Sequence, residues 1–80
     1  MRIDKYLKII RIIKRRTVAN EACDAGKISV NGRIVKASYD VKEGDIIDIN
    51  MGQKPLKIKV LNVVEFVKKE DAAQNYEVIE

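Results

Sequence analysis

Apolar residues recur with helical spacing at the start of the chain. Ile3, Leu7 and Ile10 fall four and three positions apart, as a buried helical stripe requires. Lys5, Lys8 and Arg11 follow at spacings of three and form a second, basic stripe. Together they predict a helix from Asp4 to about Ile13, with Ile9, Ile12 and Ile13 widening its apolar face. Asp4 is expected as its N-cap, because a carboxylate there accepts otherwise unpaired amide protons. The alternative is that Asp4 faces Arg15 or Arg16 and orients a guanidinium for phosphate. Lys14-Arg15-Arg16 interrupts the apolar pattern, and Thr17 follows as a favourable N-cap type. A second helix is therefore predicted from about Val18 to Ala25, with Val18, Ala22 and Ala25 on one small-residue face. Its capping box is incomplete, since Asn20 stands where Glu or Gln would complete it and Glu21 comes one position later. Gly26 should end this helix in the left-handed conformation.

From Lys27 the period changes to two. Ile28-Ser29-Val30 and Ile34-Val35 flank Asn31-Gly32, a strong signal for a two-residue hairpin turn. Val41 to Asp45 reads as a further turn, and Ile46 to Ile49 as a short strand with Ile47 and Ile49 on one face. Asn50 to Pro55 should form a loop. Lys57 to Val60 alternates, and the apolar character of Leu61 to Val67 predicts that this strand is long. Lys68 to Asn75 has helical or loop composition, and Tyr76 to Ile79 reads as a last edge strand. No repeat, low-complexity tract or linker interrupts the chain. The expected fold is α+β, one domain over residues 1–80: two helices followed by a small, mostly antiparallel sheet.

Charge sharpens the picture by its distribution. Residues 1–36 hold ten Lys/Arg against Asp4, Glu21 and Asp24, a net +7, whereas residues 37–80 hold six Lys against nine Asp/Glu, a net −3. Such asymmetry suits a chain that presents one face to phosphates. No apolar run approaches the roughly 20 residues of a membrane span, and no secretory leader pattern is evident. A lone Cys23 offers no internal disulfide and, without histidine, no zinc site. The expected compartment is the cytoplasm, and neither cofactor nor metal is expected.

Catalytic chemistry finds no support. There is no histidine, Cys23 has no imidazole to activate it and reads as an inert, partly buried thiol, and the four glycines all fall at turns. The strongest constellation is Arg2, Lys5, Lys8 and Arg11 followed by Lys14-Arg15-Arg16-Thr17, seven cations within fifteen positions opposed only by Asp4. The start of the second helix adds free amides and the positive dipole end, both favourable to phosphate. Arginine can grip phosphate in two places or stack on a base. Lys27 and Lys36 flank the hairpin and either extend this patch or protect strand edges. Phe66 and the tyrosines do not interleave with the cations, so recognition by shape and backbone is expected rather than base reading, with Tyr6 more at home in the core.

These residues form an ordered set: Arg2-x-Asp4-Lys5-Tyr6-Leu7, Lys14-Arg15-Arg16-Thr17-x-Ala19, Ala25-Gly26-Lys27-Ile28-x-Val30-Asn31-Gly32, and Lys36-x-Ser38-x-x-Val41-x-x-Gly44-Asp45. The set resembles the S-four RNA-binding domain, over about residues 1–50. That resemblance implies two helices and a hairpin presenting arginines and lysines to structured RNA. Gly52-Gln53-Lys54 and Lys68 to Ala73 extend the likeness to the short bacterial branch related to the fifteen-kilodalton heat-shock proteins. The acidic Glu77 and Glu80 stand where the heat-shock relatives carry a longer basic extension, which favours the short branch. By resemblance, the partners would be large-subunit rRNA and peptidyl-tRNA on obstructed large ribosomal subunits, with a NEMF-type alanine-tailing factor on the same subunit. The protein would act as a monomer, without a membrane. Matching contact positions are Arg2, Asp4, Lys5, Arg15, Arg16 and Thr17, with Lys27 and Lys36 weaker. Two rival readings are a general rRNA-binding assembly factor for large subunits and a basic module docking an acidic protein.

Overall fold

The computed structural model describes residues 1–52 and 55–79. Two α-helices, α1 (Ile3–Ile9) and α2 (Arg16–Asp24), precede five strands: β1 (Ile28–Val30), β2 (Arg33–Ile34), β3 (Ile46–Ile49), β4 (Leu56–Val60) and β5 (Tyr76–Val78). A 3-10 helix, Lys69–Asn75, leads into β5. The strands form one antiparallel sheet in the order β2-β1-β3-β4-β5. The α+β plan expected from the sequence is the observed one. Gln53 and Lys54, within the expected loop and the resembling segment, lie outside the described residues.

The helical stripe is buried as the spacing requires: Ile3, Leu7 and Ile10 are all sealed from solvent, with Tyr6 beside them in the core. The first helix nevertheless stops at Ile9, well short of Ile13. Extending the stripe by one more turn would place Lys14 on the buried face, where an unpaired cation is costly. Instead Arg11 adopts a left-handed conformation (φ 63°), an unusual state for a side-chain-bearing residue. The Arg11 amide donates to the Lys8 carbonyl and the Ile13 amide to that of Leu7, so the helix end is satisfied. Ile13 is thereby buried while Lys14 stays exposed.

The second helix begins at Arg16, earlier than expected, with Arg15 in the capping position and no side-chain cap. Thr17 is already inside the helix and does not cap it. The C-terminal expectation holds: Gly26 takes φ 72°, and the Lys27 amide donates to the Ala22 carbonyl while that of Gly26 donates to Cys23, a Schellman closure.

The sheet follows its period of two. Val30, Ile47 and Ile58 stand opposite one another across three strands and are all buried, whereas Ser29, Asp48 and Lys57 form the outward row beside them. Asn31 and Gly32 both take positive φ in the hairpin turn. Asn31 also reaches the next strand, accepting the Ile46 amide at 3.0 Å and donating to buried Asp45 at 3.2 Å.

The long strand expected through Val67 ends at Val60. Beyond that point β4 has no partner on either side. The β3 side turns away at Gly44–Asp45, and β5 begins at Tyr76, opposite Val60. The amides of Leu61 and Asn62 both donate to the carbonyl of Asn75, and residues 61–67 leave the sheet toward α1. The weak alternation of Leu61, Val63, Val64, Phe66 and Val67 is consistent with a segment lying on a surface.

Candidate nucleic-acid interface

Asp4 organises the basic end of the molecule. It occupies the second position of α1 and is almost fully buried. Its side chain accepts the Lys5 amide at 2.8 Å, Arg2 Nε and Nη2 at 3.2 Å each, and Asn20 Nδ2 at 3.4 Å, and Arg16 Nε lies 3.4 Å away. The expected N-cap role therefore gives way to the alternative: the carboxylate does take one first-turn amide, but it also ties α1 to α2 and faces Arg16, not Arg15. The capping position belongs to Arg2. The amides that a cap would serve are occupied by the loop after β2, with Ile3 donating to Tyr39 and Asp4 to Ala37. Burial alone would raise the carboxyl pKa, but the bonds from Asn20, Arg2, Arg16 and the Lys5 amide hold it below the ordinary 3.8.

Arg2 and Arg16 are each about half exposed, at 49% and 45%. Each guanidinium is thus oriented from below by a buried anion while its outer edge meets solvent. Such pre-orientation lowers the entropy lost when arginine grips a phosphate.

Around this hub the structure assembles two adjoining recesses that share Arg16. The smaller, about 410 Å³, is lined by Arg2, Asp4, Arg16, Thr17, Asn20 and Glu21. The larger, about 590 Å³, gathers Lys5, Lys8, Arg11, Lys14 and Arg16 on one side, with Glu65, Phe66 and Val67 completing the wall. α1, the interhelical turn with Arg11 in its left-handed conformation, and the start of α2 all contribute to this one cleft. Lys8, Arg11 and Lys14 are exposed and make no ion pair among the described residues. Arg15 is exposed just before α2 but lines neither recess. Lys27 lines neither recess but a third depression, with Val18, Glu21, Ala22, Ala25 and Met51, which meets the smaller recess at Glu21. Lys36 is exposed on the loop over the N-terminus of α1 and joins neither recess.

The C-terminal half contributes residues that sequence reasoning did not place here. Lys5 Nζ meets Glu65 at 2.7 Å, and the Tyr6 hydroxyl lies 3.0 Å and 3.2 Å from the carbonyls of Asn75 and Asn62. Phe66 is 83% exposed beside the cations. The signal for it was the loss of strict alternation after Val60. Cys23 is buried within α2, and burial, then the charges of Asp4 and Asp24, push its thiol up to about 11. Among the described residues no His, Cys, Asp or Glu group is arranged to hold a metal ion, and no helix is long and apolar enough to cross a membrane.

Known proteins share this architecture. A family model for the S4 domain matches residues 1–47. The chain is 56% identical over 79 residues to the "RQC P-site tRNA stabilizing factor" of Streptococcus pneumoniae, spanning 99% of this chain and 90% of that one. It is 53% identical to the protein of the same name from Halalkalibacterium halodurans, over 98% and 89% of the two chains. The trimeric structure of Vibrio cholerae Heat Shock Protein 15 superposes with a TM-score of 0.91 at 28% identity, covering 98% of this chain and 80% of that one.

Proposed function

The chain belongs to the S4 domain family, and from that premise we propose that it is a non-enzymatic RNA-binding factor of ribosome-associated quality control. In this reading it acts in the cytoplasm on obstructed large ribosomal subunits. It contacts large-subunit rRNA and peptidyl-tRNA and stabilises the tRNA in the P site while a NEMF-type factor directs C-terminal alanine tailing. The names of the near relatives support the tRNA role.

The observation that carries the proposal is the Asp4 hub. One buried carboxylate orients Arg2 and Arg16, and the surrounding Lys8, Arg11 and Lys14 have no ion-pair partner among the described residues. Such a surface binds by neutralising phosphates and fixing their position, with no bond made or broken. The uncapped first turn of α2 adds amides at its positive end, beside Arg15, Arg16 and Thr17.

The test is co-sedimentation with large ribosomal subunits in sucrose gradients, with the subunit fraction probed for peptidyl-tRNA. Arg16→Ala should weaken binding by about 1–3 kcal/mol if the guanidinium makes a charge-assisted phosphate contact. Unchanged co-sedimentation would remove Arg16 from the interface. Equal binding of the wild type to empty and tRNA-bearing subunits would redirect the assignment to subunit assembly.

A further inference from the structure

Phe66 is the most solvent-exposed of the protein's large apolar side chains. Of the others, Ile34, Val78 and Ile79 lie on or next to the outer strands and Leu61 just past the end of β4, where lone apolar residues are commonplace. Phe66 instead sits at the cation-lined cleft, fifty positions from the basic motif in sequence. Its placement is fixed from both sides. The Asn62 carbonyl meets the Tyr6 hydroxyl, the Leu61 and Asn62 amides donate to Asn75, and Glu65 pairs with Lys5 of α1. These contacts turn the segment toward α1 and leave the ring uncovered.

We propose that Phe66 is a stacking platform for one unpaired nucleobase of the bound RNA, whose flanking phosphates lie against Arg11, Lys14 and Arg16. The proposal rests on the RNA-binding reading above and adds a contact to a base, where the sequence pointed to backbone contacts alone. A nucleotide is amphipathic: its base is flat and uncharged, its phosphate anionic. The cleft has the matching division, with one aromatic face on the segment wall and cations on the helical wall. Glu65, beside Phe66, is paired with Lys5, so the cleft cations without a partner among the described residues, Lys8, Arg11 and Lys14, all lie on the helical wall opposite the ring. At about 590 Å³ the cleft has the size of pockets that enclose small organic ligands. Paired A-form RNA keeps its bases inside the helix and would leave Phe66 in water, so a loop, bulge or strand end is the segment that fits.

The experiment uses the full chain and two fluorescein-labelled probes of equal length. One is an RNA hairpin with 2-aminopurine in its unpaired loop; the other is a fully paired RNA duplex. Binding of the hairpin by the wild type should quench the 2-aminopurine. Phe66→Ala should weaken hairpin binding about tenfold, the loss of one base–aromatic stack, and leave duplex binding unchanged. Phe66→Tyr should retain both affinity and quenching. Phe66→Leu, which keeps apolar bulk without the π face, should lose the quenching. Because the side chain is almost fully exposed, thermal melts of these variants should match the wild type. If Phe66→Ala binds the hairpin as well as the wild type does while Arg16→Ala weakens both probes, the stacking role is overturned and the RNA-binding reading stands. If the wild type binds neither RNA but binds a polyglutamate peptide at low salt, both are overturned in favour of an acidic protein partner.

Discussion

The helical pair and the segment from Leu61 to Asn75 line the same cleft but are built by opposite means. In the helical pair, Ile3, Leu7, Ile10 and Ile13 are buried, and a sealed carboxylate holds two arginines in place. In the segment, Ala72 and Asn75 are the buried residues, Val63 packs half-buried against the core, and polar contacts complete the placement: Asn75 with the Leu61 and Asn62 amides, Tyr6 with two carbonyls, Lys5 with Glu65. The pair is therefore a rigid cation holder, stabilised by burial. The segment is a strap laid over it, anchored by fewer buried side chains, with Glu65, Phe66 and Val67 turned to the cleft. A cation-bearing wall can thus be held by burial while the opposite wall of the same cleft is anchored separately.

The sharpest contrast between the two regions lies in stability. Leu7→Ala opens a cavity in a fully buried site and should cost about 3 kcal/mol, lowering the melting midpoint of a domain this small by roughly 12 °C or more. Phe66→Ala should leave the midpoint within error. Equal losses for the two variants would show that the strap is structural after all.

Asp4→Ala comes next, at about 2 kcal/mol, because Arg2, Arg16, Asn20 and the Lys5 amide lose their common acceptor and the two half-exposed arginines recover only part of it from water. Its pH signature has a definite sign. The carboxyl pKa is lowered in the fold, so its stabilisation is complete above the ordinary value of 3.8 and is lost as pH falls through the lower folded value. Urea unfolding as a function of pH should show a shallower acid limb for Asp4→Asn than for the wild type.

Tyr6→Phe should cost less than Asp4→Ala, about 1 kcal/mol, since it removes the hydroxyl's bonds to the carbonyls of Asn62 and Asn75, the latter keeping the Leu61 and Asn62 amides as donors, and leaves the ring in the core. Burial, then the neighbouring Tyr76, pushes the Tyr6 hydroxyl up to about 12. Its contribution is therefore complete below pH 10 and is lost as pH rises through about 12. The variant should lose part of the alkaline fall in stability, with the buried Cys23 thiol and Tyr39, the latter raised by burial and by its bond to Asp45, contributing to what remains. An unaltered alkaline limb in Tyr6→Phe would mean that this bond does not hold the strap.

Local pattern was the better guide wherever one residue's neighbours in sequence are also its neighbours in space. The stripe Ile3-Leu7-Ile10, the Asn31-Gly32 turn, the Gly26 closure and the inward row of β1, β3 and β4 were legible, because helix and strand periods act over a few residues. Element ends were less so. The stop at Ile9 depends on which of Ile13 and Lys14 the core accepts, and the stop at Val60 on where partner strands run out. The start of α2 at Arg16, ahead of Thr17, is likewise decided by packing. Within the site, the sequence singled out the cations and offered two roles for Asp4, favouring the cap. Only the approach of α2 to α1 decides between them, by bringing Arg16 and Asn20 to its carboxylate.

By itself the sequence determined the α+β plan, the family and the basic first third of this protein, because periodicity, turn chemistry and charge are properties of short stretches. The tertiary structure decided which arginines share one buried anion, and that Glu65 and Phe66, 49 or more positions downstream of the basic residues they join, complete the cleft. Those outcomes depend on the free energy of closing long loops and filling one core, which no local window of residues contains.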